Sequence, residues 1–215
     1  MEDYLSRVFD NLDRWRRLPS YQLERRADAF LSAYLPEILE PLVGSRPVAL
    51  IPEFPVHIPT IYPKVTRNLS FKIDYIAVLR RAGPVVFVEL KTDATSRRDK
   101  QDWYLAKARE VGLPKLLAGI RSIYAATSAK AKYRWLLGEL ENAGLVKLAQ
   151  AAEFEILADE TPPRIVYIQP SADIHSDSEI GFVEIADLIA AHPDPLSQRL
   201  ARSLRDWASP PEDDG

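Results

Sequence analysis

The stretch SFKIDYIAVLRRAGPVVFVELKT, residues 70–92, constrains this chain more than any other part of it. Ile73, Tyr75, Ala77 and Leu79 alternate with their neighbours, which is the period of a half-buried strand. PVVFVELKT is a continuous apolar run, which fits a strand covered on both faces. Arg81-Ala82-Gly83 supplies a turn between them, so the two strands should form a hairpin. Three charged residues interrupt this apolar setting: Asp74 on the first strand, and Glu89 and Lys91 on the second. An unpaired charge on a central strand costs about several kcal/mol. Side chains at i and i+2 of a strand share a face, so Glu89 and Lys91 point the same way. The turn does not fix which residue Asp74 faces.

Two readings of these residues stand side by side. In one, Lys91 closes a buried salt bridge with a carboxylate, as such groups do on sheet surfaces. In the other, Asp74 and Glu89 give anionic oxygens to a divalent cation and the Leu90 carbonyl adds another. Mg²⁺ suits such a set, because it takes one or two carboxylates, keeps waters and completes its shell with substrate phosphate.

The rest of the chain supplies the setting. Leu5, Val8, Phe9, Leu12 and Trp15 repeat with a helical period over 3–17, and Pro19 ends that helix. Ser20 is placed to cap a second helix, which Pro36 or Pro41 kinks or ends. RPVALIPEFPVHI, residues 46–58, reads as an edge or bulged strand because it contains internal prolines. A helix follows the hairpin and ends at Gly112. Further helices fill roughly 114–125 and the segment that ends at Gly144. PRIVYIQP is a short strand framed by prolines, and two helices lie beyond it. A mixed α/β fold is the expectation, as a single domain over 1–208 with a helical insertion at 113–150 before the last core strand. Residues 209–215 read as a disordered tail.

Composition excludes several chemistries. The chain has no cysteine, so disulfides, thiolate metal sites and a cysteine nucleophile are ruled out. His57, His175 and His192 are far apart in sequence and form no zinc motif. No apolar run reaches membrane-spanning length, and the N-terminus lacks the order of a secretory signal, so a cytoplasmic protein with no membrane partner is expected. The net charge of −3 conceals an asymmetry. Residues 91–134 carry 11 Lys and Arg against 4 Asp and Glu, whereas 153–215 carry 4 against 14. A local basic surface of this kind binds polyanions even on an acidic chain.

The order Asp74, turn, apolar run, Glu89-Leu90-Lys91, then a helix bearing Gln101 resembles the PD-(D/E)XK nuclease superfamily. The resemblance covers about residues 20–110 plus the strand at 164–169. It implies a restriction-endonuclease-like sheet flanked by helices. The implied activity is Mg²⁺-dependent hydrolysis of phosphodiesters, with Mn²⁺ as a substitute and DNA as the usual substrate. Asp74, Glu89 and the Leu90 carbonyl would hold the metal, Lys91 would orient a water or offset charge on the phosphate, and Gln101 would assist. Glu24 on the second predicted helix would complete the site, with Glu37 as its competitor. Tyr104 follows Gln101 with one residue fewer than the Gln-x-x-x-Tyr found in part of the superfamily, so it transfers weakly. Arg97, Arg98 and Lys100 would hold flanking phosphates. Defence, restriction or repair would each suit such an enzyme, and a protein partner, DNA structure or a dimer would supply its specificity. The same fold also hosts modules that have lost catalysis and only bind nucleic acid or dock partners.

Overall fold

The computed structural model describes residues 2–92, 99–150, 153–173 and 178–209. The elements in chain order are α1 (Glu2–Trp15), α2 (Leu23–Leu31), α3 (Leu35–Val43), β1 (Ala49–His57), α4 (Ile58–Ile61), β2 (Ser70–Val78) and β3 (Val85–Leu90). They continue with α5 (Asp99–Val111), α6 (Leu113–Ala126), α7 (Lys130–Asn142), β4 (Val146–Gln150), β5 (Glu153–Ile156), β6 (Arg164–Gln169), β7 (Glu179–Gly181), α8 (Phe182–Ile189) and α9 (Pro195–Ala208). The protein is α/β, with a mixed sheet in the strand order β1-β2-β3-β6-β7 and a separate β4-β5 pair. No helix among the described residues is long and apolar enough to cross a membrane.

The chain forms two compact units from discontinuous segments. One comprises residues 1–44, 90–97 and 166–215, and the other 45–89 and 98–165. In the second unit β1, β2 and β3 run antiparallel, with Ile51 level with Ile76 and Tyr75 level with Val88. Every residue of β3 is buried, as its apolar run requires. β1 pairs with β2 alone, and an edge position tolerates Pro52 and Pro55, which have no N–H to give to a second neighbour. The β2–β3 turn closes through Gly83 N–H to Arg80 O at 2.9 Å, with Ala82 rather than the glycine in the left-handed region at φ 52°. Gly119 of α6 lets that helix approach β1 and α4 closely: a Cβ there would lie 2.6 Å from Thr60 Oγ1 and 3.1 Å from His57 Cβ.

In the first unit, Phe9, Ala27, Ile38, Leu39, Phe182, Ile185, Leu200 and Leu204 are fully buried. β6 and β7 pair in parallel. β3 enters this unit at Leu90, and Lys91 N–H then donates to Ile168 O of β6 at 2.7 Å.

Several expectations are corrected. Ser20 does not cap a helix; it lies at φ 61°, and α2 begins at Leu23 after Gln22. The long second helix is two helices, with Pro36 in the first turn of α3 and Pro41 inside it. The insertion at 113–150 is not wholly helical, since its last five residues are β4, paired with β5. β6 is not the last strand of the sheet, because β7 follows it.

Candidate functional site

β2 and β3 carry the two carboxylates within one antiparallel ladder. Its pairs Val78↔Val85, Ala77↔Val86, Ile76↔Phe87 and Tyr75↔Val88 hold one constant register. Asp74 and Glu89 each lie one residue beyond the Tyr75↔Val88 pair on their own strands. Glu89 is fully buried and Asp74 half-buried. Gln101, in the first turns of α5, donates from Nε2 to Glu89 Oε2 at 2.5 Å.

Leu90, Lys91, Glu24 and Glu37 belong to the first unit. Lys91 is only 4% exposed, and its Nζ donates to Leu90 O at 3.1 Å. Glu24 Oε2 of α2 lies 3.9 Å from Lys91 Nζ. Glu37, its competitor, is engaged elsewhere: both its oxygens accept from His192 Nε2, at 2.9 and 3.1 Å. Of the two, Glu24, the one preferred from sequence, is the one that lies near Lys91. Lys100 is exposed on α5. Arg97 and Arg98 lie outside the described residues, as do Asp93, Thr95 and His175. His57 bonds to Thr60 Oγ1 at 3.0 Å through Nδ1, a local structural role.

Among the described residues no group of three or more His, Cys, Asp or Glu side chains gathers to hold a metal. Of the candidate groups, the Asp74 and Glu89 carboxylates offer oxygen donors, the ligand type that Mg²⁺ or Mn²⁺ accepts.

Sequence places Glu53 just ahead of the first core strand and gives it no role. It lies between the Pro52↔Tyr75 and Phe54↔Ile73 pairs of β1 and β2. It takes φ 52°, a region that non-glycine residues seldom enter, and its side chain pairs with Lys72. The signal for it was Glu53 between two β-strand prolines, where the chain departs from regular pleating.

Comparison of the chain with models of known families, with curated proteins and with solved structures returns no match.

Proposed function

We propose that this chain is a Mg²⁺-dependent nuclease that hydrolyses phosphodiester bonds of nucleic acid, DNA in the first place. The observation that supports the reading is a fully buried Glu89 on a strand that is otherwise apolar, with Gln101 donating to its carboxylate. A fold seldom buries an acid for stability alone. Asp74, Glu89 and the Leu90 carbonyl would hold the cation, which when bound supplies Lewis-acid polarisation of a phosphate oxygen. The Lys91 ammonium would orient the attacking water and offset charge that builds on the phosphate. Gln101 fixes the Glu89 carboxylate through its Nε2 donor. Glu24 would pair with Lys91. Lys100, with Arg97 and Arg98, would position flanking phosphates.

The test is cleavage of supercoiled plasmid and of single-stranded DNA in Mg²⁺, Mn²⁺ or EDTA. Cutting should need the metal and should vanish in folded Asp74→Ala and Lys91→Ala. A folded wild-type chain that neither cuts nor takes up Mg²⁺ by calorimetry would defeat the proposal.

One observation favours a docking module on the same fold instead. Trp135 of α7 is 77% exposed beside a cavity of about 320 Å³ lined by Ala131, Arg134, Gly138, Glu139 and Asn142. Partner anchors are often exposed tryptophans. This reading requires Trp135→Ala to change the sedimentation of the protein and metal to have no effect on its behaviour.

A further inference from the structure

α5 presents more than Gln101. Lys100, Trp103 and Lys107 recur at i, i+3 and i+7 and so share one stripe of the helix, about 10 Å long. Lys100 is exposed, Trp103 is 40% exposed, and Lys107 is half-exposed and pairs with Glu110. The stripe therefore reads cation, indole, cation along the helix.

The indole is held in place. Trp103 meets Tyr62 edge-on, at 5.4 Å between centroids and 88° between planes. It meets Tyr104 at 5.2 Å and 64°. Tyr104 stacks on Phe71 at 5.1 Å and 16°, and Lys100 Nζ lies 5.8 Å from the Tyr104 ring centre. Tyr62 follows α4 and Phe71 lies in β2, so three elements of one unit buttress a single ring. Edge-to-face ring pairs of this kind are favourable beyond the area they bury. Rings that served only as core would be covered. Here the cluster is packed from behind, while the outermost ring keeps two fifths of its surface in water.

We infer that α5 carries a stacking platform for single-stranded nucleic acid. An unpaired base stacks on the exposed part of Trp103, and Lys100 and Lys107 neutralise the phosphates on either side. Lys64 and Arg67 are also exposed in the segment after Tyr62 and add to the positive charge of this region. Stacking needs a base with a free face, which a duplex hides, and a cationic border selects a polyanion over an uncharged partner. The inference deepens the nuclease reading and rests on it for the substrate: the platform and Gln101 share a helix, so the strand to be cut would be single-stranded or an unpaired end. DNA and RNA offer the same stacking chemistry, and the test separates them.

The experiment is fluorescence anisotropy in EDTA, with labelled dT15, rU15 and a 15-base-pair DNA duplex. Wild type should bind dT15 at least about 10-fold more tightly than the duplex. Trp103→Ala should weaken dT15 about 5- to 100-fold, the range of one lost base stack, and leave the duplex unchanged. Trp103→Phe, which keeps a ring against Tyr62, should recover part of the loss and guards against misfolding. Lys100→Gln should reduce the slope of log K against log salt for dT15 by about 0.7. Equal binding of rU15 means the 2′-hydroxyl is not read, and weaker binding marks DNA as the ligand; both keep the platform. Wild type that binds the duplex as tightly as dT15 overturns the inference, as do folded Trp103 variants with unchanged dT15 affinity. Adding Mg²⁺ to the same oligonucleotides separates the two proposals. Binding through Trp103 without cleavage keeps the platform and removes the nuclease. Cleavage that Trp103→Ala leaves untouched keeps the nuclease and removes the platform.

Discussion

Gln101 is the residue on which the two halves of the functional reading meet. Its amide sits 2.5 Å from a buried carboxylate, so its worth lies in fixing Glu89 rather than in touching substrate. Gln101→Leu removes the donor at similar volume and should lower single-turnover cleavage about 10- to 100-fold, the usual effect of removing a partner behind a metal ligand. The apparent Mg²⁺ requirement should rise in step, which a purely structural role would not produce. The two glutamates near α2 and α3 give a second contrast. Glu24→Gln should reduce cleavage because Glu24 faces Lys91 Nζ, whereas Glu37→Gln should spare it and change stability by no more than about 1 kcal/mol, since the pair with His192 is partly exposed. Equal losses of activity in both variants would refute this division. Asp74, Glu89 and Lys91 were legible as candidates because charge on an apolar strand is conspicuous. The pairing of β2 with β3 was not legible, since it depends on how six residues turn between them. Glu24 was preferred from its place in the second predicted helix, but its approach to Lys91 depends on where a helix distant in sequence packs.

Elements declare themselves when their own residues settle their conformation. β3 was legible from six consecutive residues that only burial can satisfy. β4 and β5 were not, because LVKLAQAAEFEIL mixes helix-forming Ala, Leu, Glu and Lys with a two-residue period, and pairing between the two strands decides the outcome. Likewise Ser20 has the chemistry of a helix cap but not the backbone, since a residue at φ 61° turns the chain rather than starting a helix. Gly119 makes an element-scale prediction. Gly119→Ala forces α6 away from β1 or displaces Thr60, and should cost about 1–3 kcal/mol in urea unfolding. An unchanged midpoint would mean the contact yields freely. At α9 the start of the helix is fixed by Asp194, which accepts from Ser197 N at 2.9 Å and from Ser197 Oγ. These bonds, the hydroxyl first, hold its carboxyl below the ordinary 3.8. The folded pKa is the lower one, so the stabilisation is complete above about pH 5 and is lost as pH falls through the depressed value. The gap in melting temperature between wild type and Asp194→Ala should be constant from about pH 5 to 8 and close below 3.8. A gap that persisted unchanged in acid would show that the cap works without its charge.

At the scale of the whole molecule, charge follows the two units. Residues 45–89 and 98–165 hold 17 Lys and Arg against 12 Asp and Glu, while the other unit holds 11 against 19. The proposed polyanion binding would therefore fall to the unit that carries α5, and the acidic unit is left to organise itself. It does so through Arg199, which joins the first and last helices. Nη2 donates to Asp10 at 2.8 Å and Asp13 at 2.7 Å, and Nη1 to Ser203 Oγ at 2.5 Å. Trp207, buried on the same helix, donates to the other oxygen of Asp13 at 2.8 Å. Burial opposes charge on this guanidinium, but the hydrogen bonds and fields of Asp13 and Asp10 outweigh it and hold its pKa above the ordinary value. Removing the cation leaves Asp13 facing Trp207 without its counterion. Loss of one partner of a buried pair costs about 3–5 kcal/mol, and the exposure of Asp10 reduces this to about 2–3 kcal/mol for Arg199→Leu. Asp13→Asn, which keeps an acceptor for Trp207 Nε1, should lose less. The double variant should lose less than the sum of the two, because each single change already breaks the shared bond. Urea unfolding of the four proteins measures this coupling, and strict additivity would show that Arg199 acts by packing alone. Cleavage assayed well below the melting point of each variant should stay near wild type, since no catalytic candidate touches Arg199, Asp10 or Asp13 in these bonds. A loss of activity at full folding would instead tie the α1–α9 clasp to the position of Lys91.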